Sequence, residues 1–104
     1  MLAAGGARAA NLYGEIRGTV TDPSGATIPD ATVTATNEST GVVRTVTTLS
    51  NGGFDFVNLL APADYTIRVS KDGFRQFVSN HTHLDVNQVY VANATLEVRA
   101  RRKP

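Results

Sequence analysis

Two histidines separated by one residue, His81-Thr82-His83, are the most chemically suggestive pair in this 104-residue sequence. On an extended segment residues i and i+2 point to the same side, so both imidazoles would reach one metal ion. Asp22 and Asp30 flank a loop and offer oxygens to Ca²⁺, but such a site takes six or more ligands. Asp22 reads better as an acceptor for backbone N–H groups in its own turn. Ser, His and Asp all occur, so inventory alone permits a hydrolytic triad. No Gly-x-Ser-x-Gly elbow is present, however, and nothing in the pattern aims a serine at either histidine. Asn37-Glu38-Ser39, Asn80-His81-Thr82 and Asn93-Ala94-Thr95 meet the N-glycosylation pattern; in a chain this rich in Thr and Asn they read as coincidence. Cysteine is absent, which removes disulfide and thiolate chemistry. His81 and His83 are therefore read as two histidines on an exposed loop. No catalytic, cofactor-binding or metal-ligating residue is assigned, and no cofactor is expected.

The elements that must carry these residues are strands. Thr occurs 13 times and Val 12, and both are β-branched residues that favour a pleated surface over a helix. From Glu15 to Thr21, Ile16, Gly18 and Val20 share one face, and Glu15, Arg17, Thr19 and Thr21 the other. Asp22-Pro23-Ser24-Gly25 suits a type I turn, with Asp first, Pro second and Gly fourth. Ala31, Val33 and Ala35 face inward on the next strand, and Asn37 to Gly41 makes a polar hairpin loop. Val42 to Thr48 returns, its inward face left open by the Val42-Val43 doublet. Ser50-Asn51-Gly52-Gly53 is the strongest hairpin signal, because Gly tolerates positive φ. Phe54 and Phe56 then anchor the core, each aromatic burying about 150–250 Å². Asn58 to Asp64 reads as a connection, and Tyr65, Ile67 and Val69 face inward beyond it. Lys71-Asp72-Gly73 turns the chain, and Phe74 and Phe77 are further core candidates. Leu84 and Val86 form a short strand, Asn87-Gln88 a turn, and Tyr90, Ala92, Ala94, Leu96 and Val98 the inward face of the last strand. Seven strands and no amphipathic helix predict an all-β, seven-stranded Greek-key sandwich, transthyretin-like in kind.

The formal net charge of +1 conceals an uneven distribution. From Asn11 to Val98 five basic residues face nine acidic ones, a balance of −4, while Arg99, Arg101, Arg102 and Lys103 gather at the end. Nucleic-acid binding needs a basic face on the fold itself, so none is expected. No apolar run approaches the ~20 residues that cross a bilayer as a helix, and no membrane insertion of this domain is expected. Ala7-Arg8-Ala9 has the small-x-small form of a signal-peptidase site, although no hydrophobic region precedes it. The expected organisation is a leader or signal-peptide remnant over residues 1–12, a sandwich domain over 13–98, and a basic tail or linker stub over 99–104.

Gly18-Thr19-Val20-Thr21-Asp22-Pro23-Ser24-Gly25, followed by Pro29-Asp30-Ala31-Thr32-Val33-Thr34, closely resembles the opening of carboxypeptidase regulatory-like domains, which belong with the Cna-B-like and transthyretin-like sandwiches. The resemblance continues through Asn51-Gly52, Phe54, Phe56, Asn58-Leu59, Tyr65-Thr66 and Gly73-Phe74 to Thr95-Leu96-Glu97-Val98. It departs at Ala61-Pro62-Ala63-Asp64-Tyr65, where the family usually has Pro-Gly shortly before the Tyr. The resemblance implies a bacterial, non-catalytic accessory or structural domain of an exported or outer-membrane protein. The N-terminal domain of a TonB-dependent receptor is the foremost case, with a cell-envelope or secreted location. Expected partners are other domains of the same polypeptide or an envelope protein, with the domain monomeric in isolation. The alternative is a carbohydrate- or peptide-binding module of a secreted enzyme.

Related sandwiches carry three chemistries that bear on these residues. Some Cna-B domains join a first-strand Lys to a last-strand Asn; Asn93 qualifies, but the first strand carries Arg17, whose guanidinium stays protonated and cannot attack a carboxamide. Intradiol dioxygenases hold ferric iron with a His-x-His and two tyrosines; Tyr65 is a candidate, whereas Tyr13 and Tyr90 sit at distant strand starts. Hydroxyisourate hydrolases end in Tyr-Arg-Gly-Ser, and this chain ends Arg101-Arg102-Lys103-Pro104.

Overall fold

Alternation shapes the first strand: in β1 (Tyr13–Thr21) Gly14, Ile16 and Val20 are buried while Arg17 is exposed. β2 (Thr32–Asn37) and β3 (Val43–Thr47) alternate likewise, and β4 (Gly53–Leu60), β5 (Ala63–Ser70) and β6 (Phe77–Leu84) follow with local breaks in the alternation, before the short β7 (Val89–Val91) and β8 (Ala94–Thr95). The computed structural model describes residues 12–99, and those residues contain no helix. All of the expected leader except Leu12, and all of the basic tail except Arg99, lie outside them.

The strands form two sheets. The first has the order β4-β1-β7, with β8 also pairing with β1; the second has the order β3-β2-β5-β6. Every pairing is antiparallel except those of β7 and β8, which run parallel to β1. The two inner faces meet in one core, with Ile16, Val20 and Phe56 from the first sheet against Val33, Ile67 and Val69 from the second. Phe54 and Phe56 pack edge to face, their ring centroids 6.0 Å apart, the geometry aromatic quadrupoles favour. This is the all-β sandwich that alternation predicts.

Several local expectations are corrected. The last strand is interrupted at Ala92-Asn93 and splits into β7 and β8, giving eight segments. Val98 is exposed rather than inward, because the chain has by then left β1 and bridges Phe74 beyond the sheet edge. The strand expected around Leu84 and Val86 is the eight-residue β6, which ends at Leu84, and Val86 lies in the turn beyond it. The connection expected over Asn58 to Asp64 shrinks to Ala61 and Pro62, joined by a cis peptide bond. The Ser50-Asn51-Gly52-Gly53 turn is not a hairpin within one sheet: it carries the chain from β3 in the second sheet to β4 in the first. Gly52 there has φ +77°, and its N–H donates to the Leu49 carbonyl at 2.8 Å.

Two features close the sandwich. At Gly18 an added Cβ would lie 2.0 Å from the carbonyl oxygen of Ala92, so only glycine lets the last strand approach β1. At the other margin, the buried Thr48 hydroxyl donates to the Ile28 carbonyl and accepts from the Ala31 N–H, both at 2.8 Å. It thereby ties the loop before β2 to the end of β3.

Overpacking of a tight interior typically costs 1–3 kcal/mol, and a displaced carbonyl also loses hydrogen bonds. Gly18→Ala is expected to destabilise the domain by about 3 kcal/mol in urea unfolding; a change below about 0.5 kcal/mol would refute the contact. Thr48→Val keeps the shape but strips partners from two main-chain groups, so about 1–3 kcal/mol should be lost. Amide exchange should then quicken at Ala31, and an unchanged rate would count against the clamp.

Candidate functional site

A bulge in the edge strand β6 builds the site. The register of β5 against β6 shifts between Tyr65 and Ile67, whose partners are Thr82 and Ser79. His81 takes φ +56° at that point, a conformation that costs a non-glycine residue energy. Thr82 and Leu84 remain buried while Asn80, His81 and His83 are exposed. The histidines thus lie on a strand, not on the expected loop.

Each histidine meets a different acid. Glu38, just after β2, accepts from the His81 backbone N–H at 2.8 Å through Oε2, and its Oε1 lies 2.7 Å from His81 Nδ1. The Thr66 hydroxyl donates to Oε2 at 2.7 Å. These donors, Thr66 first and then the His81 N–H, hold the Glu38 carboxyl below its ordinary value. His83 Nδ1 lies 2.7 Å from Asp64 Oδ1 and its Nε2 2.9 Å from Asp85 Oδ1. Two carboxylates facing both ring nitrogens favour the imidazolium, and the hydrogen bonds to Asp64 and then Asp85 raise the His83 pKa. Glu38, Asp64 and His81 each offer one ligand atom, and these atoms lie within 4.8 Å of one another. The His-x-His spacing pointed to this place, but its carboxylates come from distant segments and no local signal marks them.

The other sequence candidates are committed elsewhere. Asp22 Oδ1 accepts from Ser24 N, Ser24 Oγ and Ala26 N at 2.9, 2.6 and 3.1 Å, the self-contained turn expected of it. Asp30 is exposed with φ +60°. The Asn93 carboxamide oxygen accepts from Thr19 N–H at 3.0 Å and bridges the break between β7 and β8. Asn37 is buried, and its side chain caps its own loop by accepting from Ser39 N and Thr40 N.

A second candidate lies on the outer face of the first sheet. A groove of about 680 Å³ runs over β1, lined by Arg17, Thr19, Asn51, Asp55, Val91 and Asn93 among others. Arg17 stands in register with Asp55 on one side and Val91 on the other.

Two sheets in these orders, closed by terminal strands paired in parallel, define a transthyretin-like, Cna-B-like β-sandwich. The carboxypeptidase regulatory-like domain family matches residues 15–97, and the chain belongs to that family. Solved structures share the fold. A single-residue variant of catechol 1,2-dioxygenase from Acinetobacter radioresistens superposes with a TM-score of 0.70 at 17% identity, over 90% of this chain and 54% of that one. Chlorocatechol 1,2-dioxygenase from Pseudomonas putida gives 0.66 at 14%, over 84% and 61%. A Bacteroides uniformis protein provisionally described as carbohydrate-binding gives 0.64 at 15%, over 82% and 41%. This chain therefore spans about half the length of the first of these dioxygenases. No curated protein matches the sequence.

The likeness to dioxygenases makes ferric iron the metal to test, and the residues do not fit it. Tyr65 is 2% exposed, and its hydroxyl donates to the Leu60 carbonyl at 2.6 Å. Burial pushes its phenol up, away from the tyrosinate an iron ligand must be. Tyr13 and Tyr90 lie on β1 and β7, in the other sheet.

The Glu38 and His83 contacts along β6 have a pH window. Glu38 is depressed below 4.5, so its contribution is present above pH 4.5 and fades as pH falls through the lower folded value. His83 is raised above 6.5, so its contribution is complete below pH 6.5 and fades as pH rises through the folded value. Protection of β6 amides should therefore be greatest between those limits, and His83→Gln should flatten the alkaline side only. An NMR titration placing His83 below 6.5 would overturn this.

Proposed function

We propose that the chain is a non-catalytic accessory domain of an exported or outer-membrane protein, acting as a spacer or protein-docking module, foremost at the N-terminus of a TonB-dependent receptor. The family match supports the accessory role. One observation carries the non-catalytic part: the side chains best suited to chemistry are tied to structural partners, His81 to Glu38, His83 to Asp64 and Asp85, and Tyr65 to the Leu60 carbonyl. Envelope location and the receptor context extend that reading from the family resemblance.

A second reading, a carbohydrate-binding module, is favoured by the open groove on the first sheet. Arg17 and Asp55 line it and are polar groups of the kind that fix a bound ligand's orientation. The provisional description of the Bacteroides uniformis neighbour agrees with it.

Deleting residues 12–99 from the parent protein is expected to leave it in the outer-membrane fraction while abolishing in-cell cross-links to its envelope partner. Cytoplasmic fractionation of the intact parent would refute the location. Ring cleavage of catechol by the purified, Fe³⁺-supplemented chain would refute the non-catalytic reading. Saturable glycan-array binding lost in Arg17→Ala would replace the docking role with the second reading.

A further inference from the structure

We propose that Glu38, Asp64 and His81 form a binding site for one divalent transition-metal ion of the Zn²⁺ type. The proposal is independent of the accessory role, since it concerns the edge of the second sheet whatever the parent protein does.

One ring nitrogen and two carboxylate oxygens lie within 4.8 Å of one another, and His81 Nδ1 lies 2.7 Å from Glu38 Oε1. A tetrahedral ion with bonds of about 2.0–2.2 Å holds its ligand atoms about 3.3–3.6 Å from one another. The 2.7 Å contact is shorter than that, so seating an ion would widen it by about 0.6–0.9 Å. His81 and Asp64 have side chains 78% and 46% accessible, so an entering ion would replace the His81–Glu38 hydrogen bond without displacing buried groups. Their exposure also leaves the fourth coordination position to water.

The chemistry of the donors selects the ion. One imidazole with two carboxylates suits a late first-row divalent ion such as Zn²⁺, Ni²⁺ or Cu²⁺. Ca²⁺ wants six to eight oxygens, and Mg²⁺ keeps near-octahedral oxygen coordination. The neighbourhood is anionic, with Asp85 adding a third carboxylate opposite His83.

The scaffold orients each ligand from a separate segment. The Glu38 N–H donates to the Asp64 carbonyl at 2.9 Å, joining the end of β2 to β5. Asp64 stands in register with His83, and the adjacent bulge turns His81 outward. Thr66 and the His81 N–H occupy Oε2 of Glu38, leaving Oε1 toward the ring. His83 fixes Asp64 in the same way. Outer partners of this kind orient metal ligands.

The test uses the tag-free chain, titrated calorimetrically with ZnCl₂ and followed with Co²⁺ by its visible absorption, with MgCl₂ as control. The expected result is one Zn²⁺ per chain at micromolar affinity, a tetrahedral Co²⁺ band, and no response to Mg²⁺. His81→Gln and Glu38→Gln should each weaken Zn²⁺ at least tenfold, and His83→Gln less than either. Should Glu38→Gln loosen β6 by circular dichroism, Asp64→Asn takes its place and should weaken binding to the same degree. Millimolar binding overturns the proposal. So does binding that survives His81→Gln, or binding that needs only the histidines and ignores Glu38→Gln and Asp64→Asn.

Discussion

The carbonyl oxygen of Ala92 fills the space beside Gly18 that any side chain would occupy, and the first sheet is complete only because of that contact. β1 is the central strand, with β4 on one side and β7 and β8 on the other. The outer side of β1 bonds to the last segments through Ala92 N–H to Arg17 O and Leu96 N–H to Thr21 O. The Asn93 side chain supplies the acceptor that the interrupted backbone lacks for Thr19 N–H. A larger residue at position 18 would push this seam apart, uncovering Ile16, Val20 and Leu96 in the core they share.

Much of the architecture was legible because period-two patterning and turn chemistry are local. Ile16 and Val20, Val33 and Ala35, Phe54 and Phe56, and Ile67 and Val69 are all buried as their spacing implied. The Asp22-Pro23-Ser24-Gly25 turn forms with Gly25 N–H donating to Asp22 O at 2.9 Å. What local signals do not encode is which sheet a strand joins. Asn51-Gly52 and Ala61-Pro62 mark tight changes of direction, but both are corners between sheets rather than hairpins, a distinction made by long-range pairing. Val98 shows the same limit: its alternation continues in sequence after its partner strand has ended.

The candidate site was half legible. His81 and His83 stand out by spacing, but i, i+2 reasoning assumes an unbroken strand, and the bulge at His81 breaks it. The acids that decide their behaviour lie 43 and 19 residues away in Glu38 and Asp64, brought near by the β2-β5-β6 register. Nothing local in the sequence marks Thr66; its buried position and its bond to Glu38 are products of that register. Tyr65, by contrast, was expected to face inward, and its hydroxyl bonds to Leu60 across the corner between the sheets. That bond explains why an inward tyrosine is tolerated here: its polar tip has a partner.

Parallel pairing of β1 with β7 and β8 has a mechanical corollary. Antiparallel neighbours joined by a hairpin, if pulled from their free ends, open like a zipper, one bond after another. Here the strands begin at the same end of the sheet and run side by side, so tension entering at Tyr13 and leaving beyond Thr95 slides one strand along the other. The bonds between them are loaded together rather than in turn, so extension along the chain axis meets the whole seam at once. In a polypeptide loaded end to end, that geometry places the tension across β1 and its parallel neighbours.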